Sequence, residues 1–132
     1  MAKGRDKHQE RSQALSLFGK DLTRRAGSQC ELCEASGVKL VITEVPPVPK
    51  EPDFDHCLFS CETCNEQINN PKRIDSNHWR CLNKAIWSEL LPVQVTAVLM
   101  LRRLEKYDWA AELLDQAYIT DEVQTWLDSI KQ

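Results

Sequence analysis

Cys30-Glu31-Leu32-Cys33 and Cys61-Glu62-Thr63-Cys64, two Cys-x-x-Cys hooks with 27 residues between them, decide how this chain folds. Each hook sets two thiolates on one tight turn, and two such turns complete the four-thiolate tetrahedron of a closed structural zinc site. A single hook also serves dithiol redox chemistry, and thiolates suit iron as well as zinc. Redox chemistry, an iron centre and uncomplexed thiols therefore stand as the other readings. Paired hooks at this separation favour one structural Zn²⁺ held by Cys30, Cys33, Cys61 and Cys64. The spacing identifies ligands and leaves the function open.

The flanks supply a module around the hooks. Ala14, Leu15, Phe18 and Leu22 recur at helical spacing, so one helix is expected over residues 11–27, with Arg24 and Arg25 in its last turn and Gly27 as its C-terminal cap. Within the zinc module, residues 28–71, the β-branched run Val38–Thr43 reads as a strand. A turn region with Pro46, Pro47, Pro49 and Pro52 follows, and Cys57-Leu58-Phe59 reads as the return strand. The second hook opens a short helix from Glu62 to about Ile68, stopped by Asn69-Asn70-Pro71. Cys61 and Cys64 then sit at a helix N-terminus, where the dipole and free amides favour thiolates. Knuckle, hairpin and ligand-bearing helix make a treble clef; a zinc ribbon, lacking that helix, is the alternative.

Residues 76–132 read as a cluster of short helices. Trp79, Leu82, Ile86 and Trp87 share a stripe from about Asn77 onward. Pro92 suits the first turn of a second helix, with Val93, Ala97, Met100, Leu101 and Leu104 on its face. Asp108 is expected to cap a third, carrying Trp109, Leu113 and Leu114, and Thr120 or Asp121 to begin a fourth with Val123, Trp126, Leu127 and Ile130. The tryptophans are expected to be packing anchors. The fold class is α+β: one domain spanning residues 1–132, with a small zinc module preceded by one helix and followed by the helical cluster.

Composition sets limits on this. At 42% apolar residues the chain can build a modest core, and metal can organise the part that lacks one. The first residues contain no apolar signal core, and LLPVQVTAVLML is too short and too interrupted by Pro92, Gln94 and Thr96 to span a bilayer. A cytoplasmic protein is expected, in which six cysteines argue for metal ligation over disulfides. Net charge is −3 and unevenly placed: residues 1–26 hold seven Lys/Arg against three acids, and residues 108–132 hold six acids against Lys131. The expected reading is solvated helix surfaces, and the total does not resemble that of a committed DNA binder.

Five segments carry a resemblance: GSQCELCEAS, EVPP, CETCNEQINNP, NHWRCLNKAIWSELLPVQVTAVLMLRRL and WAAELLDQAYITDEVQTWL. From Ser28 to Trp126, about three quarters of the chain, the sequence resembles the zinc-binding N-terminal part of the bacterial PhnA family. The resemblance implies a zinc-ribbon-like module and carries the ligand role onto Cys30, Cys33, Cys61 and Cys64 alone. Longer relatives append a small β-rich domain; this sequence ends at the helices, and activity belonging to that domain is not expected of it. Nor is hydrolysis of phosphonoacetate, associated with the family name, because four thiolates leave the metal no open position for water.

An HNH-type nuclease is the main enzymatic alternative, since such enzymes also brace a ββα-metal core with Cys-x-x-Cys hooks. Their chemistry needs a His at the end of the first strand as general base. The sequence there reads Thr43-Glu44-Val45-Pro46, and the helix after the second hook offers Asn65 and Ile68. A non-enzymatic protein is expected. His56-Cys57 with His78-x-x-Cys81 could compose a second two-His, two-Cys site, but Cys57 and Cys81 are expected in the core. A protein partner is expected. The alternative is nucleic acid, contacted by Lys72, Arg73, Arg80, Lys84, Arg102 and Arg103 with Trp79 and Trp87 interleaved.

Overall fold

A computed structural model describes residues 2–130 of the protein, with side chains from Lys7 onward. The N-terminal region holds two helices where one was expected: α1 spans Ala2–Ser16 and α2 spans Gly19–Ala26. Leu17 and Phe18 make three-residue turn bonds to Ala14 and Leu15. Phe18 packs with Leu22, Cys57, Phe59 and Phe54 in a small second core, meeting the Phe54 ring edge-on at 5.6 Å. Burying Phe18 there redirects the chain, and Gly19 opens the new helix. Leu17, on the outside of the break, is exposed.

Gly27 ends α2 as expected, in a left-handed conformation at φ 65° that its missing side chain permits. The hairpin pairs β1, Leu40–Glu44, with β2, Cys57–Cys61, antiparallel and in the register Leu40↔Cys61 to Glu44↔Cys57. Val38 lies before the strand and is half exposed, so the pairing starts two residues later than its β-branched run suggested. Arg11 fixes α1 to the far end of this hairpin. Its guanidinium donates to both oxygens of Glu44 and to the carbonyls of Pro49 and Lys50.

α3, Glu62–Asn69, follows β2 directly and stops before Pro71. The expected helix at Asn77 is a 3₁₀ turn, His78–Cys81, running into one short helix, α4, Leu82–Ala85. This tighter winding breaks the assumed stripe. Trp79, Leu82 and Ile86 are fully buried, whereas Trp87 is 51% exposed. α5, Leu91–Arg103, has Pro92 in its first turn and is buried on most of its circumference, including Gln94 and Thr96. α6, Asp108–Gln116, and α7, Asp121–Ser129, pack against it. Asp108 does not cap α6: it is the first helical residue, and Tyr107 occupies the cap position without a side-chain bond. Thr120 does cap α7, accepting from the Val123 amide at 3.3 Å.

Cysteines and helices share one core. Cys30, Cys61 and Cys64 belong to the same buried cluster as Trp79, Leu82, Val98 and Leu101. Trp79 anchors it, and its indole N–H donates to Gln67 Oε1 on α3 at 2.7 Å. Trp79→Ala should therefore cost about 3–5 kcal/mol, while Trp87→Ala should change stability by no more than about 0.5 kcal/mol. Denaturant unfolding of the metal-loaded protein measures both, and equal losses would contradict the packing described.

Candidate metal centre

The first hook follows α2 in a turn, where the Cys30 amide donates to Ala35 O and Glu34 takes a positive φ of 65°. The second straddles an element boundary. Cys61 is the last residue of β2 and the N-cap of α3, its sulfur accepting from the Cys64 amide at 3.4 Å. A helix starting on a ligand aims its free amides at the sulfur cluster.

Glu31, between the ligands of the first hook, fixes that hook over the strand carrying the second. Its carboxylate accepts from Arg25 Nε and NH2 at 2.8 and 2.7 Å and from the Phe59 amide at 2.8 Å, while its own amide donates to Phe59 O. Arg25 also donates to Cys57 O at 2.8 Å. Nothing in the hook pattern distinguishes this Glu from a solvated one. Only the fold brings Arg25 and the Phe59 amide to it.

The four thiols converge. Cys30 Sγ lies 3.8 Å from Cys64 Sγ and Cys33 Sγ lies 3.6 Å from Cys61 Sγ, with all four sulfurs within 4.8 Å of one another. Metal–sulfur bonds of about 2.3 Å in a regular tetrahedron require S···S edges of roughly 3.8 Å, whereas a disulfide requires about 2.05 Å. The cysteines are free thiols at metal-ligand spacing, and the donor set fits a closed four-coordinate zinc centre.

His78 joins this neighbourhood unexpectedly. Its Nε2 lies 3.1 Å from Cys64 Sγ; with a metal on that sulfur the thiolate would only accept and Nε2 would carry the hydrogen. Cys81, three residues on, also feels the charge of the cluster, and burial together with the nearby sulfurs of Cys33, Cys30 and Cys61 pushes its thiol up to about 12. The other half of the considered two-His, two-Cys site lies elsewhere. His56 stacks on Trp126 at 4.3 Å, and Cys57 is buried in the small second core. The sequence raised His78 with Cys81, as half of that second site; its contact with Cys64 was not legible because it depends on the 3₁₀ turn.

The considered nucleic-acid residues are dispersed among other contacts. The Arg80 guanidinium lies over the Trp109 ring at 4.9 Å, Lys84 pairs with Glu34 at 3.0 Å, and Arg103 donates to Ile68 O at 2.8 Å. Lys72, Arg73 and Arg102 are exposed. Trp79 is buried and cannot stack on a base, so the interleaving with Trp87 is lost. At the basic N-terminus and acidic C-terminus, the side chains of Lys3, Arg5, Asp6 and Lys131 lie outside the described residues.

No protein-family model, curated protein or solved structure matches this chain.

Without metal the sulfurs divide their protons unequally. The hydrogen bond with Cys64, helped by the Cys33, Cys61 and Leu32 amides, pulls Cys30 down to about 4 against its burial. That same bond, then burial, pushes Cys64 far up, and burial followed by the charge on Cys30 pushes Cys33 up to about 11. Both groups hold their protons near neutrality and must release them to bind metal. Between about pH 6 and 8 the apparent affinity should therefore rise at least roughly 100-fold per pH unit, a slope of two protons or more. Competition titration against a chromophoric chelator, corrected for the chelator's own protonation, measures the slope; a value near zero or one would contradict this proton distribution.

Proposed function

We propose that the protein is a non-enzymatic zinc-binding module that presents a surface to a protein partner. The sulfur geometry supports the zinc part of this reading: four free thiols from two hooks lie within 4.8 Å of one another, and two of the pairs, at 3.8 and 3.6 Å, match the edge of a zinc–thiolate tetrahedron. A hook in a turn, a two-stranded hairpin, and a second hook at the start of α3 support the treble-clef arrangement over a ribbon. The PhnA resemblance agrees with such a module, and no activity is transferred from it.

The surroundings support a structural role for the metal. Four thiolates fill its coordination shell and leave no place for an activated water or a phosphate oxygen. At the end of β1, where an HNH-type nuclease holds its general base, Val45 is buried and takes no proton. The neighbouring carboxylate of Glu44 is engaged by Arg11. Asn65, on the ligand-bearing helix, spends its amide on Thr43 Oγ1 at 2.7 Å, and Thr43 Oγ1 lies 3.1 Å from Ser60 Oγ.

Support for a protein partner comes from the far side of the helical cluster. Trp87 and Tyr118 are 51% and 64% exposed. The buried Gln94 amide donates to Ile86 O at 2.9 Å and to Tyr118 O at 3.2 Å, holding the two aromatic-bearing segments side by side. Exposed Trp and Tyr side chains on a fixed backbone are common interface anchors. The nucleic-acid alternative has weaker support, since Trp79 is buried and half its cations have protein partners.

Purified protein should carry one Zn²⁺ per chain, and a strong chelator should abolish cooperative unfolding as followed by circular dichroism. Structural zinc contributes roughly 10–16 kcal/mol of apparent binding energy in small zinc domains, more than such a module's own stability. Cys61→Ser/Cys64→Ser should lose both metal and fold. Zero or two equivalents, or zinc retained by that variant, would overturn the ligand set. Trp87→Ala/Tyr118→Ala should keep metal and fold yet lose a captured protein that wild type retains after nuclease treatment; equal capture by both would remove the surface from the reading.

A further inference from the structure

The four sulfurs differ in solvent access. Cys30, Cys61 and Cys64 are 1%, 5% and 0% exposed, and Cys33 is the one ligand left partly open. They also differ in hydrogen bonding. Cys30 Sγ accepts from the Leu32 and Cys33 amides at 3.4 Å, Cys61 Sγ from the Cys64 amide at 3.4 Å, and Cys64 Sγ faces His78 Nε2 at 3.1 Å. Cys33 Sγ has the Ala35 amide beside it, one donor as for Cys61, and its close neighbour is the sulfur of Cys61 at 3.6 Å.

N–H···S bonds withdraw charge from a thiolate, and burial withholds it from reagents, so reactivity follows accessible, unshielded thiolate character. Three of the sulfurs are buried as well as hydrogen-bonded. Cys33, with one amide beside it as Cys61 has, is the one that solvent reaches, and it stands opposite a cysteine of the other hook.

We propose that Cys33 is a modification site for hydroperoxides, and that its oxidation is completed by a Cys33–Cys61 disulfide that discharges the metal. The inference rests on the zinc reading above. In the first step the Cys33 thiolate attacks one peroxide oxygen. An S–O bond forms, the O–O bond breaks and hydroxide leaves from hydrogen peroxide, or alkoxide from an organic hydroperoxide; the sulfur is oxidised by two electrons to a sulfenic acid and the peroxide is reduced. In the second, the Cys61 thiolate attacks the Cys33 sulfur. The S–S bond forms, the S–O bond breaks and hydroxide leaves. Two of the four ligands are consumed, and Cys30 and Cys64 alone cannot close the shell.

The product joins the hooks covalently where the metal had joined them. Closing the 3.6 Å separation to about 2.05 Å needs small side-chain movements and no exchange of partners between elements. Cys57 is outside this chemistry, being buried with its thiol donating to Asp53 O at 3.3 Å.

The test uses the full chain loaded with zinc, its single equivalent verified beforehand, and treated with one equivalent of hydrogen peroxide. Zinc release is followed with a chromophoric chelator, sulfenic acid is trapped with dimedone, and disulfides are mapped by peptide mass spectrometry. The expected result is dimedone on Cys33, a Cys33–Cys61 linked peptide, and one zinc released per disulfide. First modification at Cys30, Cys61, Cys64 or Cys81, a Cys33–Cys81 link, or no reaction would overturn the proposal. Because the mapping is done on wild-type protein, it does not depend on a Cys33 variant that folds. Cys81→Ala, outside the ligand set, should leave the release rate unchanged within about twofold; a larger loss would assign the second step to Cys81. Protein isolated without metal would instead defeat the zinc reading itself.

Discussion

Four sulfurs held within 4.8 Å of one another at a buried junction form the constraint on which the rest of the structure depends. The sulfurs come from a turn after α2 and from the seam between β2 and α3, so their convergence sets where the hairpin, the ligand-bearing helix and the helical cluster meet. Bare thiolates at such separations repel one another, and burial strengthens the repulsion. The metal-free cluster answers this by keeping protons on Cys33 and Cys64. A divalent cation reverses the balance, turning four mutually unfavourable charges into four bonds. Cys61 shows how tightly structure and ligation would be joined, being at once a strand terminus, a helix cap and a member of the cysteine cluster.

Two polar side chains connect this junction to the remainder of the chain. Glu31 takes three donors from α2 and β2, which prevents the first hook from turning away from the second. Gln67 does the equivalent on the other side, accepting from the Trp79 indole and from the Asp75 amide at 2.8 Å. Each is a buried polar group whose partners come from elsewhere in the chain, and leaving those partners unpaired costs more than the bonds themselves contribute. Through Trp79 the metal module and the helices share a core. Loss of metal is thus expected to loosen α4 and α5 as well as the hairpin.

Local chemistry made much of this legible in the sequence. The hook spacing identified the four cysteines that converge, Gly27 the end of α2, Asn70-Pro71 the end of α3, Pro92 the start of α5 and Thr120 the cap of α7. Each is a rule about a residue and its immediate neighbours. What was not legible depends on distant partners or on a change of winding. The break at Leu17-Phe18 follows from Phe18 reaching the Phe54 ring, which sequence periodicity cannot register. The 3₁₀ turn at His78–Cys81 shifts the helical phase, turning Trp87 outward and bringing His78 to Cys64. Asp108 has the residue type of a cap, yet the chain begins α6 on it. The basic residues could be listed from the sequence, but only the fold shows that Arg80, Lys84 and Arg103 already have partners.

No helix among the described residues is long and apolar enough to cross a membrane. What the fold presents is a cysteine cluster positioned to hold a metal and exposed aromatic side chains at Trp87 and Tyr118. The most direct test of this account is X-ray absorption at the zinc edge of the purified protein. Four sulfur scatterers at about 2.3 Å and no nitrogen or oxygen in the first shell are predicted. A shell containing a light-atom ligand, or fewer than four sulfurs, would contradict the closed thiolate centre and reopen the metal to chemistry.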